Sequence, residues 1–89
     1  MIGSRMRFNN ATQRLFGDLV RAVIIVWETK DWETPWSAEA RIVSNDDNKL
    51  VWIVGQGSAS QKKQAKDMAA NSAYQWLVIQ YPSIDLINV

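Results

Sequence analysis

The chain has 89 residues, of which 47% are apolar and five are Trp; it has no Cys and no His, and its net charge is +1. That length makes one small domain, and that apolar share excludes global disorder. Without Cys there is no disulfide and no thiolate metal site, and without His the usual general base and the commonest metal ligand are gone. The expectation is a binding module, not an enzyme, that uses no cofactor and no metal. No apolar run approaches the roughly 18 residues of a membrane span, and no signal-peptide pattern opens the chain. An intracellular protein is expected, in nucleus or cytoplasm. Residues 1–4 read as a vector-derived or disordered lead, 5–80 as the domain, and 81–89 as an apolar tail.

Residues 5–16 are predicted to form a helix, because Phe8, Ala11 or Thr12, and Leu15 recur at helical spacing and Gly17 is a stop. A rival reading runs this helix through Gly17 to Val20. Val20–Glu28 is apolar and β-branched, as a strand requires. Lys30 to Pro35 is a loop closed by proline. Residues 36–43 alternate, with Trp36, Ala38, Ala40 and Ile42 on one face and Ser37, Glu39 and Arg41 on the other, which is a half-buried strand. Ser44 to Asn48 is a polar turn, and 50–54 is a third strand running into Gly55. A long helix opens at Ser60 or Gln61 and ends near Gln80, since Pro82 disfavours helix at Tyr81. Its apolar stripe is Ala65, Met68 or Ala69, Ala73, and Trp76 or Leu77. The predicted fold class is α+β, in the order α-β-β-β-α. Short turns make the three strands an antiparallel meander, and both helices must cover one face of the sheet.

Charge is unevenly placed. Residues 28–48 gather six acids against Lys30 and Arg41, whereas 49–66 hold Lys49, Lys62, Lys63 and Lys66 with no acid. Lys62, Lys63 and Lys66 stand within the first turn and a half of the last helix, at the positive end of its dipole, where each cation costs a few tenths of a kcal/mol. A sequence shaped only for stability would place Asp or Glu there. The lysines therefore imply an anion from outside, served by the ammonium groups and the free backbone N–H groups. Gly55 and Gly57, with small Ser58 and Ala59, are read as letting backbone approach another surface just before the helix. The bland alternative is an ordinary strand-to-helix turn with solvated lysines.

The run Gly55-Gln56-Gly57-Ser58-Ala59-Ser60-Gln61-Lys62-Lys63-Gln64-Ala65-Lys66-Asp67-Met68-Ala69-Ala70 resembles the C-terminal signature of double-stranded-RNA-binding domains of the Staufen, Dicer and RNA helicase A types. Gly55, Gly57, Ala59, Lys62, Lys63, Ala65, Lys66, Ala69 and Ala70 match it position by position. The strand from Trp36 to Ile42 and the helix end Trp76-Leu77-Val78 look most like domains of RNA helicase A and maleless-type helicases. The resemblance implies three contact regions for duplex RNA. One is Lys62, Lys63 and Lys66. A second lies on the first helix, where Phe8-Asn9-Asn10 is the preferred match, so that Asn9 and Asn10 would touch RNA; Leu15-Phe16-Gly17-Asp18 is the rival. The third is the loop between the first two strands, which in the family reads like Gly-Pro-x-His. Here it is Thr29-Lys30-Asp31-Trp32: the Gly, Pro and His are absent, and Asp31 and Glu33 add negative charge. Lys30 and Trp32 remain as the loop's candidate contacts. The Ser that usually precedes the lysine pair is Gln61 here, so Ser60 is expected to cap the helix instead.

Trp36, Trp52 and Trp76 occupy periodic apolar positions and are expected in the core rather than as base-stacking platforms; Trp32 could touch ribose or a partner, or cap the core. Asp31, Glu33, Asp46 and Asp47 fit a solvated surface better than a metal site. Ile84, Leu86, Ile87 and Val89 make an apolar tail that folds back on the sheet or meets a partner. The expected partner is double-stranded RNA, bound by shape through phosphate and 2′-OH contacts, with the chain serving as a module of a larger RNA-processing or RNA-remodelling protein. The alternative is the same fold used for protein interaction or self-association through the sheet face or the tail.

Overall fold

The structure is a computed structural model that describes residues 3–87. Met1 and Ile2 of the expected lead and Val89 of the apolar tail lie outside these residues. The element order is α1 (Ser4–Phe16), β1 (Val20–Glu28), β2 (Trp36–Ser44), β3 (Leu50–Ala59) and α2 (Lys62–Gln80), with a short 3-10 turn, Gly17–Leu19, after α1. The three strands form one antiparallel sheet in the order β1-β2-β3. Both helices supply the same core, which joins Phe8 and Ala11 of α1, Ala38, Ala40 and Ile42 of β2, and Ala65, Ala69, Ala73 and Leu77 of α2. The α-β-β-β-α architecture read from the sequence is the architecture of the protein.

The first helix ends where its glycine allows. Gly17 adopts φ +62°, and its N–H bonds the Gln13 carbonyl, so α1 does not run on to Val20. At the other end, Ser4 is already helical, one residue before the expected start and inside the stretch read as a lead. Thr12 is buried, and its hydroxyl donates to the Phe8 carbonyl at 2.8 Å, which satisfies the one polar group α1 brings into the core.

The third strand corrects the sequence reading. It continues through Gly55 and Gly57 to Ala59 instead of stopping at Val54. The two glycines are not a turn that opens toward another surface. They are strand residues lying directly beneath α2. A Cβ on Gly55 would collide with the Ala69 carbonyl oxygen and stand 2.6 Å from the Ala73 nitrogen; one on Gly57 would stand 2.6 Å from the Met68 Cβ, and 2.8 Å from both the Ala65 carbonyl oxygen and the Ala69 nitrogen. Apart from the Met68 Cβ, which the helix itself holds in place, these are backbone atoms of a helix and cannot swing aside. Ala65, Ala69 and Ala73 complete the contact from above, each with no exposed surface. Helix backbone thus rests on strand backbone, with only alanine methyl groups and the Met68 Cβ between.

That close seat sets which face of α2 is buried. Its inward residues are Ala65, Ala69, Ala70, Ala73, Tyr74 and Leu77. Met68, expected on this stripe, is 48% exposed, because the helix turns its smallest side chains toward the glycines. Trp52, also expected in the core, is 44% exposed; it lies on the edge strand and packs edge-on against Trp76 and tilted against Phe16, at ring separations of 5.9 and 6.1 Å. Trp36 and Trp76 are half-buried against the core, and Trp32 is fully solvated instead of capping it. The tail returns to the common core: Leu86 is buried in it, and its carbonyl accepts the hydroxyl of Tyr74 of α2 at 2.8 Å. Ile84 and Ile87 of the tail are exposed.

Adding a single methyl group at either glycine should therefore be costly. Gly55→Ala and Gly57→Ala are each expected to lower stability by about 2–3 kcal/mol through overpacking, a fall in Tm of roughly 10–20 °C for a domain of this size. Thermal unfolding of the two variants checks this, and an unchanged Tm would show that α2 is not seated on β3.

Candidate nucleic-acid interface

The antiparallel register places the end of β3 beside the start of β2, and the start of β2 beside the end of β1: Glu28 pairs with Trp36, and Trp36 with Ala59. The 29–35 loop and the first turn of α2 consequently share one end of the sheet, while the acidic 45–47 turn lies at the other. Lys62 bridges the two parts of the shared end, its ammonium standing 5.6 Å from the centre of the Trp36 ring.

The first turn of α2 is built as expected for charge and differently for capping. Gln61, not Ser60, is the N-cap residue; no side chain caps the helix, and no acid stands in its first turn. Lys62 and Lys63 are exposed and Lys66 is half-buried. Lys62 and Lys63 therefore sit among uncompensated N–H dipoles, with Lys66 one turn further along, since intrahelical bonding begins with the Ala65 N–H to the Gln61 carbonyl.

Lys63 faces a groove of about 540 Å³ between the N-terminal turns of the two helices, lined also by Arg5, Met6, Asn9 and Asp67. This groove unites Asn9 with the lysine cluster. Asn10 lies off it, half-buried on a neighbouring stripe of α1. Arg5, which the sequence reading did not single out, belongs to the groove because it precedes Asn9 by four residues and shares its helix face. Its guanidinium meets the Asp67 carboxylate at 3.4 Å, with both side chains nearly half exposed. Such a pair contributes at most about 1 kcal/mol, so Arg5 can be drawn to a stronger anion. The i, i+4 spacing from Asn9 was available in the sequence; the Arg5–Asp67 pairing was not, since it depends on how the helices cross.

The loop at this end has an internal organiser. The Asp31 carboxylate accepts the Glu33 N–H at 3.0 Å, the Thr34 N–H at 3.4 Å and the Thr34 hydroxyl at 3.2 Å. Thr29 closes the loop from the other side, donating its hydroxyl to the Thr34 carbonyl and accepting the Asp31 N–H, both at 3.2 Å. Asp31 is thus a structural acid. With its negative charge held by the loop's own donors, Lys30 and Trp32 project into solvent, Trp32 with 86% of its surface exposed.

Among the described residues no group of three or more His, Asp or Glu side chains gathers as metal ligands do, and no helix is long and apolar enough to cross a membrane. No protein-family model matches the chain, and no curated protein matches it either.

The loop should respond to acid in a defined direction. The Glu33 and Thr34 backbone N–H groups hold the Asp31 carboxyl below its ordinary value. A carboxyl depressed in the folded state stabilises above its unfolded value, and that contribution is lost as pH falls through the folded value. Protection of the Glu33 and Thr34 amides, taken relative to their intrinsic exchange rates at each pH, is expected to hold from neutral pH down to the ordinary aspartate range and to fall only below it. Asp31→Ala should lack that protection at neutral pH. Equal exchange in both proteins would mean that Asp31 does not organise the loop.

Proposed function

We propose that this chain is a double-stranded-RNA-binding domain that recognises the shape of an A-form duplex with little sequence preference. The observation that carries the reading is the first turn of α2: Lys62, Lys63 and Lys66 stand at a helix N-terminus with neither an acid in the first turn nor a side-chain cap. The position is unfavourable for the isolated protein and favourable for one holding a phosphate backbone. Asn9 and Arg5 lie across a groove from Lys63, and the Lys30–Trp32 loop occupies the same end of the sheet. Cations and amide groups spread over two helix ends and a loop suit RNA, whose wide minor groove presents 2′-hydroxyls flanked by phosphates.

Asn9 and Trp32 are assigned to the sugar edge of the minor groove, and Lys62, Lys63 and Lys66 to the phosphates. Arg5 joins the phosphate contacts, leaving Asp67 as RNA approaches. The departure of the loop from the family pattern gives it a smaller share of the affinity than the lysine cluster. Duplex binding of this kind involves no reaction step, and on this reading catalysis belongs to another part of a larger RNA-processing protein.

The test measures binding and stability on the same proteins. The triple substitution Lys62→Ala, Lys63→Ala, Lys66→Ala is expected to weaken duplex-RNA binding at least about tenfold at roughly 0.1 M salt, and to lower the salt dependence by about one counterion per lysine removed. Its Tm should hold or rise slightly, because relief of the helix dipole offsets the lost Lys62–Trp36 contact. Duplex RNA should outcompete duplex DNA of the same sequence. Undiminished RNA binding by the triple variant would contradict the site, and equal affinity for the two duplexes would contradict shape recognition.

A further inference from the structure

The sheet covers its inner face with two helices and leaves its outer face bare, yet the sequence of β1 is that of a strand buried on both sides. From Ala22 to Trp27 it is continuously apolar. Strands with one solvated face normally alternate apolar and polar residues, whereas unbroken runs belong to strands covered on both faces. The register shows what the run presents outward: Val23, Ile25 and Trp27 stand opposite Arg41, Glu39 and Ser37 of β2, and Ile53 of β3 stands on the far side of Arg41. Trp27 and Ile53 are 42% and 47% exposed. Trp27 and Glu39 line one shallow groove of about 130 Å³ together with Gln56, which places them on a common surface.

In the middle of this apolar field lies one ion pair. The Arg41 guanidinium reaches the Glu39 carboxylate at 2.7 Å, and the two side chains are only 32% and 16% exposed. They are neighbours along the central strand, equally placed on either side of Ala40. We propose that the outer face of the sheet is the contact surface between two copies of this chain, packed face to face about a two-fold axis that crosses β2 at Ala40.

The charges select that axis. A two-fold lying in the interface and running across the strands sends residue 41 over residue 39 of the second copy. Each Arg41 then meets two carboxylates and each Glu39 two guanidiniums, Val23 falls over the partner copy's Ile25, and the surface complements itself as a closed dimer requires. A two-fold running along β2 would stack arginine on arginine and glutamate on glutamate. The ion pair therefore fixes orientation, and the apolar residues around it supply the burial. Three strands about 4.8 Å apart and nine residues at about 3.3 Å each make a face roughly 14 Å by 30 Å. That is small beside the roughly 800 Å² per partner of standard interfaces, so the dimer is a weak, concentration-dependent one. The helices and the lysine-bearing end of the sheet remain outside the contact.

Sedimentation equilibrium of the chain without RNA, up to about 1 mM, tests this independently of the RNA reading. The mass is expected to climb from 10.2 kDa toward twice that value. Glu39→Arg and Arg41→Glu, which replace the ion pair by two positive and by two negative charges, should each stay monomeric. An equimolar mixture of the two should associate, and the chain carrying both changes should dimerise like the parent. Circular dichroism establishes that each variant is folded; should either charge reversal unfold, Trp27→Lys, which stands opposite Ser37 instead of the pair, removes the largest apolar contact from the same face and should also be monomeric. A parent that stays monomeric throughout, folded variants that dimerise as the parent does, or a mixture that fails to associate would each overturn the proposal.

Discussion

The contact on which everything else depends is the seat of α2 on two glycines. Gly55 and Gly57 let the helix backbone descend until only the methyl groups of Ala65, Ala69 and Ala73 and the Met68 Cβ separate it from the strand. Close packing of this kind is unforgiving, because backbone cannot adopt another rotamer. It fixes the height and rotation of α2, and with them where its first turn emerges. Lys62 then falls beside Trp36 at the head of β2, and Lys63 beside Asn9 of α1. A larger residue beneath the helix would displace all three lysines together. The small-residue spacing and the lysine spacing of the same segment are two halves of one device, the first placing the helix and the second using its end.

This also explains what could be read in the sequence and what could not. The order of elements was legible because each one carries a clean local signal: helical recurrence of Phe8, Ala11 and Leu15, the β-branched run of β1, the alternation of Trp36 to Ile42, and Pro82 after the last helix. The bounds of β1 coincide with the expected ones for that reason. Glycine, by contrast, carries an ambiguous signal. A glycine that bends the chain and a glycine that lies under a helix look alike until the partner is known, so β3 reads as five residues too short. Met68 and Trp52 were misplaced by the same gap, since the rotation of α2 and the width of its footprint are tertiary quantities. Of the candidate site, the lysines were legible from charge against dipole and Asn9 from resemblance. Arg5 was hidden by its place next to a segment read as a lead, and Asp31 was read as a surface acid although it orders its loop.

Electrostatics divides the sheet lengthwise. At one end the loop acid Asp31 is engaged by neighbouring N–H groups, leaving Lys30 exposed at the same end of the sheet as the α2 lysines. At the other, Asp46 and Asp47 share a turn in which Asp47 accepts the Lys49 N–H and Arg21 is occupied by Asn45 and Asn48. A net charge of +1 conceals this polarity. For a polyanion the relevant quantity is the local field at the lysine-bearing end, not the total charge. The stretch Thr29-Lys30-Asp31-Trp32 departs from the Gly-Pro-x-His pattern of the family that the chain resembles, and the loop reaches a defined shape by another route, through an aspartate that gathers three donors.

The central claim is that one end of this molecule, made of two helix N-termini and a loop, receives an A-form duplex. The most direct measurement is a titration of the isotope-labelled chain with a short RNA duplex, followed through backbone amide shifts. Shifts are expected at Arg5, Asn9, Lys30, Trp32, Lys62, Lys63 and Lys66, with the acidic 45–47 turn silent. Shifts confined to the outer face of the sheet or to the acidic turn, or none at duplex saturating for the other members of the group, would contradict it.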